Sequence, residues 1–266
     1  MKKLIFLTFL LPVIFFSHKT EAQVTNTPQE MARKDSVKVH LQKAQGFLKQ
    51  GNPEEASKIY LSVMESEPNN KEAVQGWLMA NMKRSPTGEE DAIKLLDELN
   101  KKYPENTAVI FFRAFIEGEY GHNEEALKDI EWLINVQPDD ALNYIMKGQV
   151  LHAMARYNDA IQAFDRATLL DPSRWDVWGM KAGSLAKNGK FDEAISSINK
   201  GMELAPNQPV NIYNRACIYC LKGDKANALA DLQKAISINP AFKGNARKDE
   251  DFKSLYEDED FLKITL

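Results

Sequence analysis

Six prolines set the period of this sequence. Pro104, Pro138, Pro172, Pro206 and Pro240 stand 34 residues apart, and Pro68 precedes Pro104 by 36. A fixed period of this length belongs to chains built from repeated supersecondary units, each too small to bury its apolar face alone. The clearest copy, Asn143 to Pro172, reads NYIMKGQVLHAMARYNDAIQAFDRATLLDP, two amphipathic helices joined by a turn. In phase with it the chain divides into units 37–70, 71–106, 107–140, 141–174, 175–208 and 209–242.

The units agree position by position. At the eighth position stand Ala44, Leu78, Ala114, Gly148, Ala182 and Ala216, all but one small enough for close helix approach. The twentieth is alanine in every unit: Ala56, Ala92, Ala126, Ala160, Ala194 and Ala228. Larger residues fill the next layer at Tyr60, Leu96, Ile130, Phe164, Ile198 and Leu232. Gly51, Gly121, Gly189 and Gly223 follow the first helix, where a left-handed residue ends it. Asn52, Asn123, Asn158 and Asp224 are the expected caps of the second helices, with Pro53 and Glu55 completing a first-turn signature. The second unit departs from the pattern with KRSPTGEED at 83–91, a longer loop carrying Pro86 and Gly88. A passive insertion is the favoured reading, a recognition loop the other.

Composition narrows the function. With 34 Lys and Arg against 38 Asp and Glu, the formal charge is −4, which argues against a nucleic-acid binder. Residues 1–22 read as a signal peptide: Lys2 and Lys3, an apolar run from Leu4 to Phe16, and Ala22 before the cut. Thirteen apolar residues fall short of the roughly 20 needed to span a bilayer. Cleavage there leaves 31 bases and 37 acids, an acidic exported chain, periplasmic or secreted, with no membrane span. Residues 23–36 read as a linker, with Asp35 or Ser36 capping the first repeat helix. After Pro240, residues 243–266 place Phe252, Leu255, Tyr256, Phe261 and Leu262 at helical spacing among acids, the pattern of a terminal cap. Asp249–Asp251 and Glu257–Asp260 are read as its solvated face. A calcium loop would require regularly spaced ligands around a glycine, which this stretch does not have.

On these residues the chain resembles the tetratricopeptide-repeat family over 37–242, about three quarters of its length, and its DxDFxxLxxDxxF ending resembles those of bacterial members. The resemblance implies an all-α, right-handed α-solenoid of six helix-turn-helix units with a capping helix, lined on its concave side by the first helix of each unit. It implies a noncatalytic module that binds a protein or peptide partner in that groove. Transferred residue by residue, the groove candidates are Leu41, Gln45, Met79, Phe111, Phe115, Ile145, Gln149, His152 and Tyr213. Phe111, Phe115 and Ile145 form an apolar patch in the middle; burial in the core is the alternative for the two phenylalanines. At the same positions of the fifth unit Gly179 and Gly183 leave space. The Lys and Asn carboxylate clamp of one family branch is missing, since Leu41, Gln45, Met79, Phe111 and Phe115 occupy its places. A base recurs at the seventh position, Lys43, Arg113, Lys147, Lys181 and Arg215, and is expected to pair with acids such as Asp129, Asp165 or Asp231.

A search for chemistry finds no catalytic constellation, metal-ligand set or cofactor motif. His40 occupies a core-type position, His122 a turn, and His152 stands alone. Cys217 and Cys220 form a CxxC in the middle of a helix, not at the helix N-terminus that redox motifs use. Unpaired structural thiols are the favoured reading, with a disulfide the alternative in an oxidising compartment. Two further readings stay open: a structural subunit of a cell-envelope assembly acting through its convex face, loops or acidic C-terminus, and a CxxC redox protein. The sequence leaves the oligomeric state open.

Overall fold

A computed structural model describes residues 27–84, 89–206 and 208–266. The signal-like segment 1–22 and the Pro86–Gly88 part of the long loop lie outside the described residues. Among those described, every regular element is helical. The chain divides into two compact units at Ile116–Glu117. The first holds α1 (Pro28–Lys49), α2 (Pro53–Ser66), α3 (Lys71–Arg84), α4 (Glu89–Lys102) and most of α5 (Thr107–Tyr120). The second holds α6 (Asn123–Val136), α7 (Ala141–Ala153), α8 (Tyr157–Leu170), α9 (Trp175–Lys187), α10 (Phe191–Leu204), α11 (Pro209–Lys222) and α12 (Lys225–Ile238). Beyond α12 follow α13 (Phe242–Ala246), a 3₁₀ segment (Glu250–Leu255) and α14 (Glu259–Thr265).

Within each unit helices pair as hairpins, α1 with α2 in the first and α7 with α8, α9 with α10 and α11 with α12 in the second, where α9 also touches α7 and α11. The alanines of the twentieth position, Ala56, Ala92, Ala126, Ala160, Ala194 and Ala228, are all 0% exposed. The layer beside them, from Tyr60 to Leu232, is buried throughout. Where that layer carries an aromatic ring, a glycine faces it. A Cβ on Gly76 would lie 2.2 Å from the Tyr60 ring, and one on Gly148 would lie 2.6 Å from Phe164. The glycines thus make room for the two largest side chains of the layer.

The first helices end as the pattern requires. Gly51, Gly121, Gly189 and Gly223 have φ between 77° and 88°, and in the fourth unit Ala155 holds the equivalent place at φ 58°. A Cβ in that region costs roughly 1–2 kcal/mol. The caps follow expectation less closely. Asp224 accepts from the Asn227 amide at 3.2 Å, but Asn52 makes no side-chain cap bond, and Asn123 and Asn158 lie inside their helices.

Helix α1 begins at Pro28, within the expected 23–36 linker, so Asp35 and Ser36 are helix-interior residues. Among the described residues nothing covers its first turns: Met31 is exposed, and burial is seen at Val37. They are tied down by Arg33, which donates to the Ser66 carbonyl and pairs with Glu67.

Bases at the seventh position link successive hairpins. Arg113 pairs with Asp97 at 3.0 Å, Lys147 with Glu131 at 3.2 Å and Lys181 with Asp165 at 2.6 Å, each acid lying on the preceding second helix. Arg215 turns the other way, forking onto Asp231 at 2.7 and 3.0 Å while donating to Asn199. The bidentate pair is the strongest of these links; solvent screens the others to about 0–1 kcal/mol each.

The second unit ends under its C-terminal segment. Phe252, Phe261, Leu255 and Ala246 join Ile212, Tyr213, Ala216 and Leu232 in one buried cluster, with Tyr213 stacked on Phe242 at 4.6 Å. Two substitutions test this packing by thermal denaturation. Gly148→Ala should destabilise by about 1–3 kcal/mol through overpacking against Phe164. Ala155→Gly should stabilise by roughly 0.5–1 kcal/mol, as relief of the left-handed strain outweighs the added chain entropy.

Candidate functional site

The second unit contains a cleft of about 550 Å³, walled by α7, α9 and α11 with the C-terminal segment at one side. Its floor is α9, where glycine recurs one helical turn apart. A Cβ at Gly183 would meet nothing within 4 Å, and at Gly179 it would meet Asn211 at 3.1 Å. Around this bare backbone stand Trp175, Met180, Val210, Ile218 and Leu221, with Gln149 and His152 from α7 and Asn214 from α11. Asn211 also lines the cleft, 1% exposed, with its amide nitrogen lacking a partner.

The charged groups lie at the edges. Asp176 is held by Arg174 through two hydrogen bonds of 2.8 and 2.5 Å. Lys187 at the end of α9 pairs with Asp251, whose carboxylate holds the ammonium pKa above its ordinary value. Asp249 accepts from the Tyr213 hydroxyl at 2.7 Å, from the Cys217 thiol at 3.8 Å and, through its other oxygen, from the Asp251 amide at 3.1 Å. These acids were expected on a solvated face. Instead both are half-buried and join the C-terminal segment to α9 and α11.

His152 has neighbours after all. Its Nδ1 lies 2.8 Å from Ser184 Oγ, and its ring meets Tyr157 edge-on at 5.4 Å. Because the Ser184 hydroxyl donates to the Met180 carbonyl at 3.2 Å, it accepts from His152 Nδ1–H. Burial, and then the Lys187 charge, lower the His152 pKa, opposed by Asp251. His40, by contrast, is exposed and bonds only within its own helix, so it is not a core residue.

The remaining groove candidates separate. Gln149 and His152 line the cleft, and Tyr213 stands behind it, 6% exposed, reaching it through Asp249. Ile145 is buried at 5%. Phe111 and Phe115 are buried at 1% and 8%, with Phe111 edge-on to Phe112 and the Lys71 ammonium 4.1 Å from its ring centre. The central aromatic patch is therefore core. Leu41 is buried too, whereas Gln45, which donates to Glu72 at 2.8 Å, and Met79 line a separate cleft of about 340 Å³ in the first unit. There burial and the neighbouring Glu72 push the Tyr60 hydroxyl pKa up to about 12. Sequence reasoning missed Lys187, Asn211, Asp249 and Asp251. The available signal was Gly179 and Gly183, an emptied pair at positions where the other units carry side chains.

Cys217 and Cys220 are free and buried. Burial raises both thiol pKa values, and the carboxylates facing them raise Cys217 further. Cys220 lies 3.4 Å from Ser254 Oγ, so both thiols bind the C-terminal segment. Potential ligand atoms of Cys217, Asp249 and Asp251 fall within 4.8 Å of one another. Two of these groups are already engaged, Asp251 by the Lys187 ammonium and Asp249 by the Tyr213 hydroxyl.

Family models described as tetratricopeptide repeat match residues 145–209 and 211–242. The chain thus carries tetratricopeptide repeats in its second unit. Over 127 residues it is 29% identical to Tetratricopeptide repeat protein 6 of Homo sapiens, covering 47% of this chain but only 24% of that protein's length. A tetratricopeptide repeat protein from Parabacteroides merdae ATCC 43184 has a similar structure, with TM-score 0.60, 20% identity, and coverage of 87% of this chain and 98% of that one. The structure of YrrB, described as a TPR protein with an unusual peptide-binding site, gives TM-score 0.52 at 21% identity, covering 71% of this chain and 97% of that one. At these identities the likeness shows the fold.

Two measurements check the chemistry of the cleft. Neither thiol should react with iodoacetamide at pH 8 in the folded protein, and both should react after denaturation, as read by mass. Neutral His152 contributes stability that is fully present above its ordinary pKa of 6.5 and is lost as pH falls through the depressed folded-state value. Melting temperature should therefore drop between pH 7 and 5, and less steeply in His152→Gln.

Proposed function

We propose that this protein is a noncatalytic interaction module that binds an extended segment of a protein partner in the cleft of α7, α9 and α11. One observation carries the reading: α9 presents two glycines to a space of about 550 Å³ with a largely apolar lining. A helix gives up stability by placing glycine in its interior, by roughly 0.5–1 kcal/mol each. Close packing accounts for Gly179, whose Cβ would crowd Asn211, but not for Gly183, which faces open space. A floor kept low for an incoming chain accounts for both. The peptide-binding description of YrrB points the same way. Export through residues 1–22 belongs to this reading, supported by the charged, apolar and small-residue order of that segment; N-terminal sequencing of the protein from cells would test it.

Gly183→Trp fills the space without a clash at Cβ. Its folding stability should stay within about 0.5 kcal/mol of the parent. Displayed random dodecamer peptides retained by the parent chain should be lost on the variant. Retention of the same peptides by both would exclude this cleft as the binding site.

A further inference from the structure

Resting on the groove-binding reading, we propose that the cleft of the second unit selects segments in which a bulky apolar side chain neighbours a lysine or arginine. The apolar group enters over Gly179 and Gly183, and the cation meets Asp249, with Asp251 adding to the negative potential beside it.

Charge complementarity gives the argument. Three carboxylates line the cleft, Asp176, Asp249 and Asp251, against one ammonium, Lys187. Asp176 is fully engaged by the fork of Arg174, and Asp251 shares Lys187. Asp249 is different. Its donors are a phenol, a thiol and a backbone amide, all neutral, so its charge has no cation partner in direct contact among the described residues. His152 adds no compensating charge at neutral pH, since burial and Lys187 favour its neutral form. The cleft therefore carries an excess negative charge on one wall, partly shielded from solvent.

An acidic ligand would meet that wall as repulsion. A purely apolar ligand would desolvate Asp249 without replacing its water. A basic side chain restores the balance and gains charge-assisted hydrogen bonds. The apolar requirement is independent of this. Met180, Ile218 and Leu221 border a floor with no Cβ, which suits one large side chain better than a run of small ones.

The test uses the whole chain and a displayed library of random dodecamers, panned on the parent, Gly183→Trp and Asp249→Asn. The asparagine keeps an oxygen for Tyr213 while removing the charge. Asp251→Asn, which spares the Tyr213 contact, runs beside it, and melting curves confirm that each variant is folded. Among peptides kept by the parent and lost on Gly183→Trp, Lys or Arg next to a large apolar residue should be enriched. Binding of the best such peptide should weaken roughly tenfold on at least one of the asparagine variants, and it should weaken with added salt on the parent. Enrichment in acidic or uncharged peptides would overturn the inference and leave the groove reading standing. Basic peptides that bind both asparagine variants as tightly as the parent would also overturn it. Peptides indifferent to Gly183→Trp would overturn the groove reading itself.

Discussion

Each unit depends on how closely two helices can approach. A single amphipathic helix of 13 or 14 residues, the usual length here, is marginal on its own, and its stability comes from the face it buries. The alanine at every twentieth position sets the approach distance, and all six are fully buried. The larger residue four positions on then reaches into the space between helices. When that residue is aromatic the facing helix yields a side chain, as Gly76 does to Tyr60 and Gly148 to Phe164. Size is traded across the interface so that the spacing stays constant. The paired bases of the seventh position act on top of this, orienting hairpins that apolar packing has already brought together.

The same constraint explains the cleft. Helix α9 must pack on α10 through Ala182, Leu185 and Ala194, which occupies one face and leaves Gly179 and Gly183 toward the other. Nothing in hairpin formation requires Gly183, which faces open space. The C-terminal segment adds what the repeats do not supply. Its aromatic residues seal α11 and α12, and in doing so they bring two carboxylates up to the cleft edge. Covering the last apolar face and charging the cleft wall are thus done by one stretch of chain.

Much of this was legible in the sequence because repetition amplifies weak signals. One alanine says little about packing; six in register define an interface, and the prolines fix the phase. The cap was legible from the apolar residues Phe252, Leu255 and Phe261 among acids, although the chain covers α11 and α12 with a 3₁₀ segment and the short α14 in place of one capping helix. The interior of α5 was not. Its run VIFFRAFI is apolar nearly all round, Arg113 apart, so periodicity cannot say which ring faces the groove, and both Phe111 and Phe115 proved to be core. The cleft was half legible: the glycine pair showed vacancy, but the groups around it come from outside the repeat register. Asp249 lies some 70 residues after Gly179, and no local pattern links the two. His40 failed in another way. Its position suits a core residue in other units, but among the described residues nothing covers α1 there.

The division of labour between repeats and C-terminal segment has a consequence for the order of folding. Helices α7 to α12 can pair with their neighbours in chain order, because each hairpin buries its face against the one before. The cleft cannot be completed in that order. Until the segment that carries Asp249 and Asp251 has docked, α11 exposes the seat of Phe252, and the pocket lacks one wall and two of its three carboxylates. A chain that folds in this order completes its repeats first, and the cleft gains its acidic wall in a single late step when the final segment docks.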